Sequence, residues 1–187
     1  NLGLYRTAGE YTARAVEMAK RAQARLLTAT YLESLGRSQL DYGDLDSARS
    51  TLQEGLDLSI EIGHSHNQAY YRLGLGRLAL ARGQVEFAQK EVQAACDYFK
   101  ELSSPSELAV SLAWLGYIQL QAGDWEAAHR ATSGAVAQIE ALGDVSWDYP
   151  PQDVWWLHYQ VLKAAPAANS PTEGKPTRAG GATPRSE

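Results

Sequence analysis

Apolar and small residues recur along this chain at a fixed step of 40 positions. Glycine stands at positions 43, 83 and 123, and the same step relates seven further columns of apolar or small residues. These columns are Ala29, Ala69 and Ala109; Leu35, Leu75 and Leu115; Gly36, Gly76 and Gly116; Leu40, Leu80 and Leu120; Ala48, Ala88 and Ala128; Gly55, Ala95 and Ala135; and Ile62, Leu102 and Leu142. A step of this length, kept through three units, predicts an array of stacked structural repeats.

Within each unit the pattern predicts two helices joined by a tight turn. Leu32, Leu35 and Leu40 follow one another at helical spacing in a stretch that contains no proline. Gly43 then ends the first helix, because glycine readily adopts the left-handed conformation that closes a helix. A second helix follows, and turn-forming residues end each unit near positions 63, 103 and 143.

Small residues in the Gly36 and Ala48 columns favour a close approach of the two helices in each unit. A bulky side chain at either position would hold the helices apart. Neither helix can bury its apolar stripe alone, so successive units must stack. The sequence therefore predicts an all-α fold, a solenoid of antiparallel helix pairs.

Composition narrows the classes of function. The chain has 187 residues with 44% hydrophobic and 21% charged residues, and its formal charge is −5. This balance is typical of a soluble globular protein and disfavours a nucleic-acid partner, whose binding surfaces are basic. A single cysteine, Cys96, excludes an intramolecular disulfide. No apolar run approaches the ~20 residues of a membrane helix, and no signal segment opens the chain, so we expect a cytoplasmic protein without membrane contact.

The repeat resembles the tetratricopeptide repeat over about residues 1–143. In that family an apolar residue and glycine are followed by a turn glycine, an alanine and a further small residue, as in Leu35-Gly36, Gly43, Ala48 and Gly55. The family's period is 34, and its usual proline is absent at Ile60, Lys100 and Glu140, so longer helices are expected here. Such long units are similar to those of bacterial signalling ATPases and transcriptional regulators of the maltose-activator type, and of peptide-sensing regulators of Gram-positive bacteria. The resemblance implies a right-handed superhelix whose first helices line the concave side.

The two ends of the chain differ from the repeats. Asn1-Leu2-Gly3 and Gly9-Glu10-Tyr11 resemble the segment around Gly36 and Gly43 with one residue missing, so we expect a chain start inside a first helix. That start fits a piece of a longer protein or a processed terminus. We predict repeat units at about 1–25, 26–65, 66–105 and 106–145, and a capping helix at about 150–164. This makes one domain, 1–164, followed by a disordered tail at 165–187 that is rich in Pro, Gly, Ser and Thr.

Candidate catalytic and metal-binding residues do not form a recognisable arrangement. His64 and His66 are predicted to lie in a solvated loop without further metal ligands. Cys96 shares its column with Leu56 and Val136, so an inert core position is expected. His129 and His158 have no recognisable nucleophile beside them, and Gly74-Leu75-Gly76 lies inside a helix without the rest of a phosphate loop. We therefore predict neither an enzyme nor a cofactor or metal site.

The expected binding surface is the concave groove lined by the first helices. Its candidate residues are those that face away from the Leu35, Leu75 and Leu115 seam. They are Arg37, Arg77 and Tyr117 in one column, Tyr70 beside Thr30 and Val110 in a second, Glu33 beside Leu73 and Ala113 in a third, and Asp41 and Gln121 in a fourth, with Trp114 at the edge. Arginine forks bind carboxylates and carbonyl groups, and aromatic rings supply rigid contact area.

The two arginines are not equivalent candidates. Arg37 has Glu33 and Asp41 at four-residue spacing, so pairing within its own helix competes with ligand binding. Arg77 has Leu73 and Ala81 at those positions and lacks a partner on its own helix, which makes it the stronger candidate. The clamp for chaperone tails known in the resembled family needs a Lys/Asn set that these columns do not supply.

Two functions remain open at this stage. The first is a non-enzymatic scaffold whose groove binds a peptide, a protein segment or a small effector, as the sensor portion of a larger bacterial signalling protein. The second is self-association, in which the solenoid ends stack on one another.

Overall fold

Helices account for nearly all of the described chain. The structure is a computed structural model and describes residues 2–143 and 151–166. The helices are α1 (Leu2–Arg21), α2 (Arg25–Tyr42), α3 (Leu45–Glu61), α4 (Ser65–Ala81), α5 (Val85–Glu101), α6 (Pro105–Gln121), α7 (Trp125–Leu142) and α8 (Pro151–Lys163). No strand occurs in these residues, which confirms the all-α prediction. None of these eight helices is both long enough and apolar enough to cross a bilayer.

Three helix pairs, α2–α3, α4–α5 and α6–α7, repeat at the predicted step. Each pair turns at the expected glycine, and the backbone φ angles of Gly43, Gly83 and Gly123 are 92°, 73° and 86°. Positions 60, 100 and 140 lie inside the second helices, which therefore continue past the point where proline usually ends this helix in the resembled family. The three bends are equivalent, so the prediction of a helical-repeat solenoid is confirmed.

The start of the chain differs from the prediction. Gly9 lies inside the continuous helix α1, so the turn expected at Gly9 is wrong. At the 40-residue step Ala8, Val16 and Ala19 correspond to residues of the second helices, and Val16 and Ala19 are buried. Helix α1 is therefore equivalent to the second helix of each pair, and we call it a second-type helix. Its place in the repeat is indicated by its buried positions and not by the spacing of its glycines.

The stack curves because the first helices of successive pairs pack together more closely than the second helices do. The first helix α2 contacts α4, and α4 contacts α6, whereas no backbone contact joins α3 to α5 or α5 to α7 in the described residues. A stack whose first helices approach one another while its second helices diverge is concave on the side of the first helices. The concave surface of α2, α4 and α6 is thus the side on which the candidate residues were predicted.

Helix α8 covers the end of the stack as the predicted capping helix. Val154, Leu157 and Val161 are buried against α6 and α7. The indole Nε1 of Trp125 donates a hydrogen bond of 2.8 Å to the carbonyl oxygen of Val161, and Nδ1 of His158 lies 2.9 Å from Oγ1 of Thr132. The tail predicted to be disordered comprises residues 165–187, and from residue 167 onward it lies outside the described residues.

Candidate functional site

Two open pockets lie on the concave surface, and together they collect the predicted groove residues. The first has a volume of about 320 Å³ and is lined by Leu40, Leu45, Arg77, Leu80, Ala81, Trp114, Tyr117 and Gln121. The second has a volume of about 290 Å³ and is lined by Thr30, Glu33, Ser34, Arg37, His66, Asn67 and Tyr70. Seven of the eight candidate residues border one of these pockets, and the eighth, Asp41, is ion-paired to Arg77.

Arg77 lines the first pocket and is held from two sides. Its Nη2 lies 2.6 Å from Oδ1 of Asp41, and its guanidinium carbon lies 4.5 Å from the ring centroid of Trp114. Tyr117 packs edge-on against Trp114, with ring centroids 6.2 Å apart. A guanidinium group over an indole face is attracted by the negative ring face. The pocket therefore combines one fixed cation with two aromatic rings.

This arrangement corrects the argument that favoured Arg77. Arg77 lacks a partner on its own helix, as predicted, but the preceding repeat supplies Asp41, and only 13% of the Arg77 side chain is exposed. Arg37 and Glu33 are 3.9 Å apart, which is the pairing within one helix that was weighed against ligand binding. Of the two acids at four-residue spacing from Arg37, Glu33 forms the ion pair within the helix, whereas Asp41 forms its ion pair with Arg77 of the following helix pair.

The second pocket is lined by polar groups and one aromatic cluster. The hydroxyl of Tyr70 donates to Oε1 of Glu107 at 3.1 Å, and its ring packs against His66 and Phe99 with centroid distances of 5.0 and 5.2 Å. Burial acts to raise the pKa of Glu107, but hydrogen bonds from Ser106, the backbone and Tyr70, together with the nearby His66, hold it below its ordinary value. The hydrogen bond to Glu107 and the two ring contacts hold Tyr70 in the wall of the second pocket.

Asp153, at the start of α8, brings a further charge to the concave side. Burial is the main reason that the pKa of Asp153 is raised; Asp41 adds to this shift, and the attraction of Arg77 and Arg37 opposes it. Arg37 and Asp41 belong to α2 and Arg77 to α4, so the carboxyl group of Asp153 on α8 lies within electrostatic range of both helices. The sequence analysis missed Asp153, because its distance from the arginines follows from the curvature of the stack.

The histidines near position 64 correct a second prediction. His64 is the N-cap of α4, and its Nδ1 accepts a hydrogen bond from the backbone N–H of Asn67 at 3.3 Å. His66 lies in the first turn of α4 against aromatic rings, so the predicted solvated loop is wrong. The loop assignment also concealed Asn67, which is 7% exposed and lines the second pocket. The signal for Asn67 was its place three residues before Tyr70, on the same side of α4.

The remaining reactive side chains belong to the packed interior or to the α7–α8 contact. Cys96 is buried, and burial raises the pKa of its thiol to about 12, with Asp97 adding to the shift. The rings of His129 and His158 stack at 6.0 Å, and His129 stacks on Trp125 at 5.0 Å. In the part of the chain that the structure describes, no group of three or more His, Cys, Asp or Glu side chains is arranged to hold a metal ion.

Comparisons with known proteins identify the fold. No family model matches the chain, and no curated protein matches it. Among solved structures, the crystal structure of BtubC (BKLC) from P. vanneervenii is similar, with a TM-score of 0.68 and 20% sequence identity. The similarity covers 86% of this chain, which spans 66% of the length of that BtubC chain. This likeness supports the helical fold alone.

Proposed function

We propose that this protein is a binding scaffold whose concave surface holds an extended peptide or a flexible segment of a partner protein. The observation that supports it is the gathering of residues from three successive first helices around two pockets on one face. Both pockets are open, and their volumes of about 320 and 290 Å³ are close to the lower limit of the ~300–1,000 Å³ typical of small-molecule sites. An extended segment that contacts both pockets suits this surface better than one compact effector.

The side chains of the surface match such a ligand. Aromatic residues and arginine dominate the energy of protein interfaces, and both are present at Trp114, Tyr117 and Arg77. Their fixed positions reduce the conformational entropy lost on binding. On the resemblance to tetratricopeptide repeats, we further propose a non-enzymatic role as the sensor portion of a larger bacterial signalling protein in the cytoplasm.

Selection from a random dodecapeptide library, followed by calorimetry with the best peptide, tests the groove. We expect Tyr117→Ala to weaken binding at least tenfold, or about 1.4 kcal/mol, because it removes a rigid wall of the first pocket. Phe87→Ala is the matched control, since Phe87 is an exposed aromatic residue, 48% accessible, on the second helix α5. A library that yields no binder, or a peptide equally sensitive to both substitutions, would contradict the proposal.

Self-association is a second candidate, favoured by apolar side chains at the two ends of the described helices. Tyr11 and Met18 on α1 are 66% and 70% exposed, whereas the equivalent positions of α3, α5 and α7 are buried or half-buried. Trp156 and Tyr159 on α8 are 60% and 52% exposed. In the described residues, α1 is a second-type helix without a first-type partner, and α8 is not followed by a second-type helix.

A second copy would supply the helix that each end lacks. We expect sedimentation to show concentration-dependent association that Met18→Lys abolishes, because a buried unpaired charge is costly. Gln53→Lys, at an exposed position of α3, is the control. A chain that stays monomeric at every concentration rejects this candidate and leaves the groove proposal unaffected.

A further inference from the structure

A cavity on the convex side of the stack is more than twice as large as either concave pocket. Its volume is about 740 Å³, within the ~300–1,000 Å³ typical of small-molecule sites. It lies between Arg49 of α3 and Phe87 of α5, with residues of α4 at its base, and we call it the convex cavity. The second helices α3 and α5 make no backbone contact with each other in the described residues. The divergence of these helices thus leaves room for a ligand between two units.

The base of the convex cavity is apolar. Leu75, Leu78 and Ala79 of α4 line it and are otherwise buried. Phe87 adds an aromatic ring that is about half exposed to solvent, 48% by area. An apolar body placed over these side chains would remove their remaining surface from water, which is favourable. The ligand that suits the cavity therefore has an apolar part.

Arg49 supplies the available cation of the convex cavity. Its side chain is exposed and forms no hydrogen bond or ion pair with the described residues, so its guanidinium group can turn toward an anion in the cavity. Arg82 lines the cavity too, but its Nη2 is bonded to Oδ1 of Asp46 at 2.6 Å and to the carbonyl oxygen of Leu45 at 3.2 Å. Guanidinium groups bind carboxylates through two parallel hydrogen bonds. Arg49 therefore favours a ligand with a carboxylate.

Negative charges beside the convex cavity limit the ligand to one anionic group. Glu86 lines the wall that α5 forms, and Asp46 is paired with Arg82. A second anionic group on the ligand would be repelled by these carboxylates. The lining residues of α4 extend from Leu75 to Arg82, which is about 10 Å along the axis at ~1.5 Å per residue. This length suits a small molecule.

The neighbouring units show that the fold does not require the side chains of Arg49 and Phe87. Forty positions later stand Gln89 and Ala127, although the base of that unit is still apolar at Leu115. Forty positions earlier, neither an arginine nor an aromatic residue is present. The cation and the ring are therefore particular to the boundary at which the convex cavity lies.

We infer that the convex cavity binds a small amphipathic monocarboxylate, whose carboxylate pairs with Arg49 and whose apolar body covers Leu78 and Phe87. This site lies on the opposite side of the stack from the concave groove, so the inference is independent of the proposed function. A groove that binds no peptide would leave it unchanged.

Octanoate is the probe, and NMR titration of the whole chain locates its binding. The backbone amide of Gly83 reports on the convex cavity, because Gly83 lines it. Gly123, the turn glycine of the next helix pair, is the matched control. We expect a saturable shift at Gly83 and at the Phe87 ring, with Gly123 unchanged. Octan-1-ol and acetate, which lack the charge and the apolar body respectively, should each bind at least tenfold more weakly.

The outcomes of the titration are distinct. A shift at Gly83 that does not saturate overturns the inference. So does an equal shift at Gly123 or at the indole of the exposed Trp156, because it would indicate general adsorption to apolar surface. Octan-1-ol or octylammonium binding as tightly as octanoate would overturn the assignment of an anionic ligand.

A substitution taken from the next repeat tests Arg49 directly. Arg49→Gln places the residue of position 89 in the equivalent position of α3, so we expect the variant to fold. Calorimetry should show at least fivefold weaker octanoate binding, because the charge-assisted hydrogen bonds are lost. Lys100→Gln removes the same charge from an exposed side chain at the other end of α5 and should leave the affinity unchanged. Equal affinities of Arg49→Gln and the parent protein would refute the pairing with Arg49.

Discussion

The close contact of α6 with α7 predicts that Gly116→Ala destabilises the protein, although alanine favours a helix. A Cβ atom at Gly116 would lie 2.8 Å from the carbonyl oxygen of Ala128 and 2.6 Å from Cγ2 of Thr132. The carbonyl oxygen belongs to the backbone of α7 and cannot rotate away. Thr132 is also held, because its Oγ1 is bonded to the carbonyl oxygen of Ala128 at 3.0 Å and lies 2.9 Å from Nδ1 of His158.

Two opposing contributions determine how much Gly116→Ala changes the free energy of unfolding. Replacing glycine by alanine inside a helix gains about 1 kcal/mol of helix propensity. Overpacking a well-packed contact costs about 1–3 kcal/mol, and the fixed neighbours of Gly116 place this substitution near the upper value. We therefore expect Gly116→Ala to lower the free energy of unfolding by about 2 kcal/mol, which includes both contributions.

Two other glycines are internal controls. A Cβ at Gly134 meets no atom within 4 Å, so Gly134→Ala should raise the free energy of unfolding by about 1 kcal/mol. At Gly36 the nearest atoms belong to the flexible side chain of Leu52, and its backbone nitrogen is 3.7 Å away. Gly36→Ala should therefore lie between the other two variants.

Urea unfolding followed by far-ultraviolet circular dichroism and by tryptophan fluorescence measures the three differences. Repeat arrays can unfold in parts, so agreement between the two signals is needed before free energies are compared. Gly116→Ala as stable as the parent protein, alongside a stabilised Gly134→Ala, would refute the close α6–α7 contact. A loss of stability in Gly134→Ala would instead refute the expectation that alanine stabilises these helices where its Cβ meets no other atom.

Two further predictions concern the inter-unit turns and the capping helix. Ser103 has a left-handed φ of 53°, and glycine occupies the equivalent position 63 with a φ of 66°. Ser103→Gly should therefore stabilise the protein by about 0.5 kcal/mol, and Gly63→Ser should destabilise it. The reason is that the backbone strain of a non-glycine residue in this conformation, ~1–2 kcal/mol, exceeds the entropy that glycine adds to the unfolded chain. Equal stabilities in urea would contradict this. The pKa of His158 is lowered, mainly by burial and further by His129. Below the ordinary pKa of 6.5, the unfolded chain therefore binds more protons than the folded chain does. The free energy of unfolding should keep the full contribution of His158 above that pH and decrease as the pH falls below it. His158→Gln should flatten this part of a urea midpoint-against-pH curve, and an unchanged slope would exclude His158 as its source.

The sequence predicted the helices and their order because the determinants are local and repeated. Gly43 and its two counterparts bend the chain at equivalent positions, and apolar residues at helical spacing define what each helix buries. Where one local signal stood alone, the prediction was wrong. Gly9 indicated a turn, but the buried Val16 and Ala19 hold α1 as one helix through it. The two histidines indicated a loop, yet His64 caps α4.

The groove residues were predicted as columns because equivalent positions of a repeat face the same way in each unit. Their partners were not predicted. Asp41 and Arg77 are 36 positions apart, and so are Asp46 and Arg82, which lie 2.6 Å apart. This separation is one helical turn short of the repeat, so facing side chains on stacked units are offset along the helix axis. The size of that offset depends on how the units pack.

The order of residues alone determined which segments of the three repeats form helices, where each repeat turns, and which side of each first helix faces the concave surface. These properties depend on backbone conformation and on the alternation of apolar and polar positions within a few turns. Only the tertiary structure decided that Asp41 neutralises Arg77, that Asp153 comes near both arginines, and that Asn67 is buried beside a pocket. Such contacts depend on the offset and curvature of the stack, which result from the packing of all its side chains together.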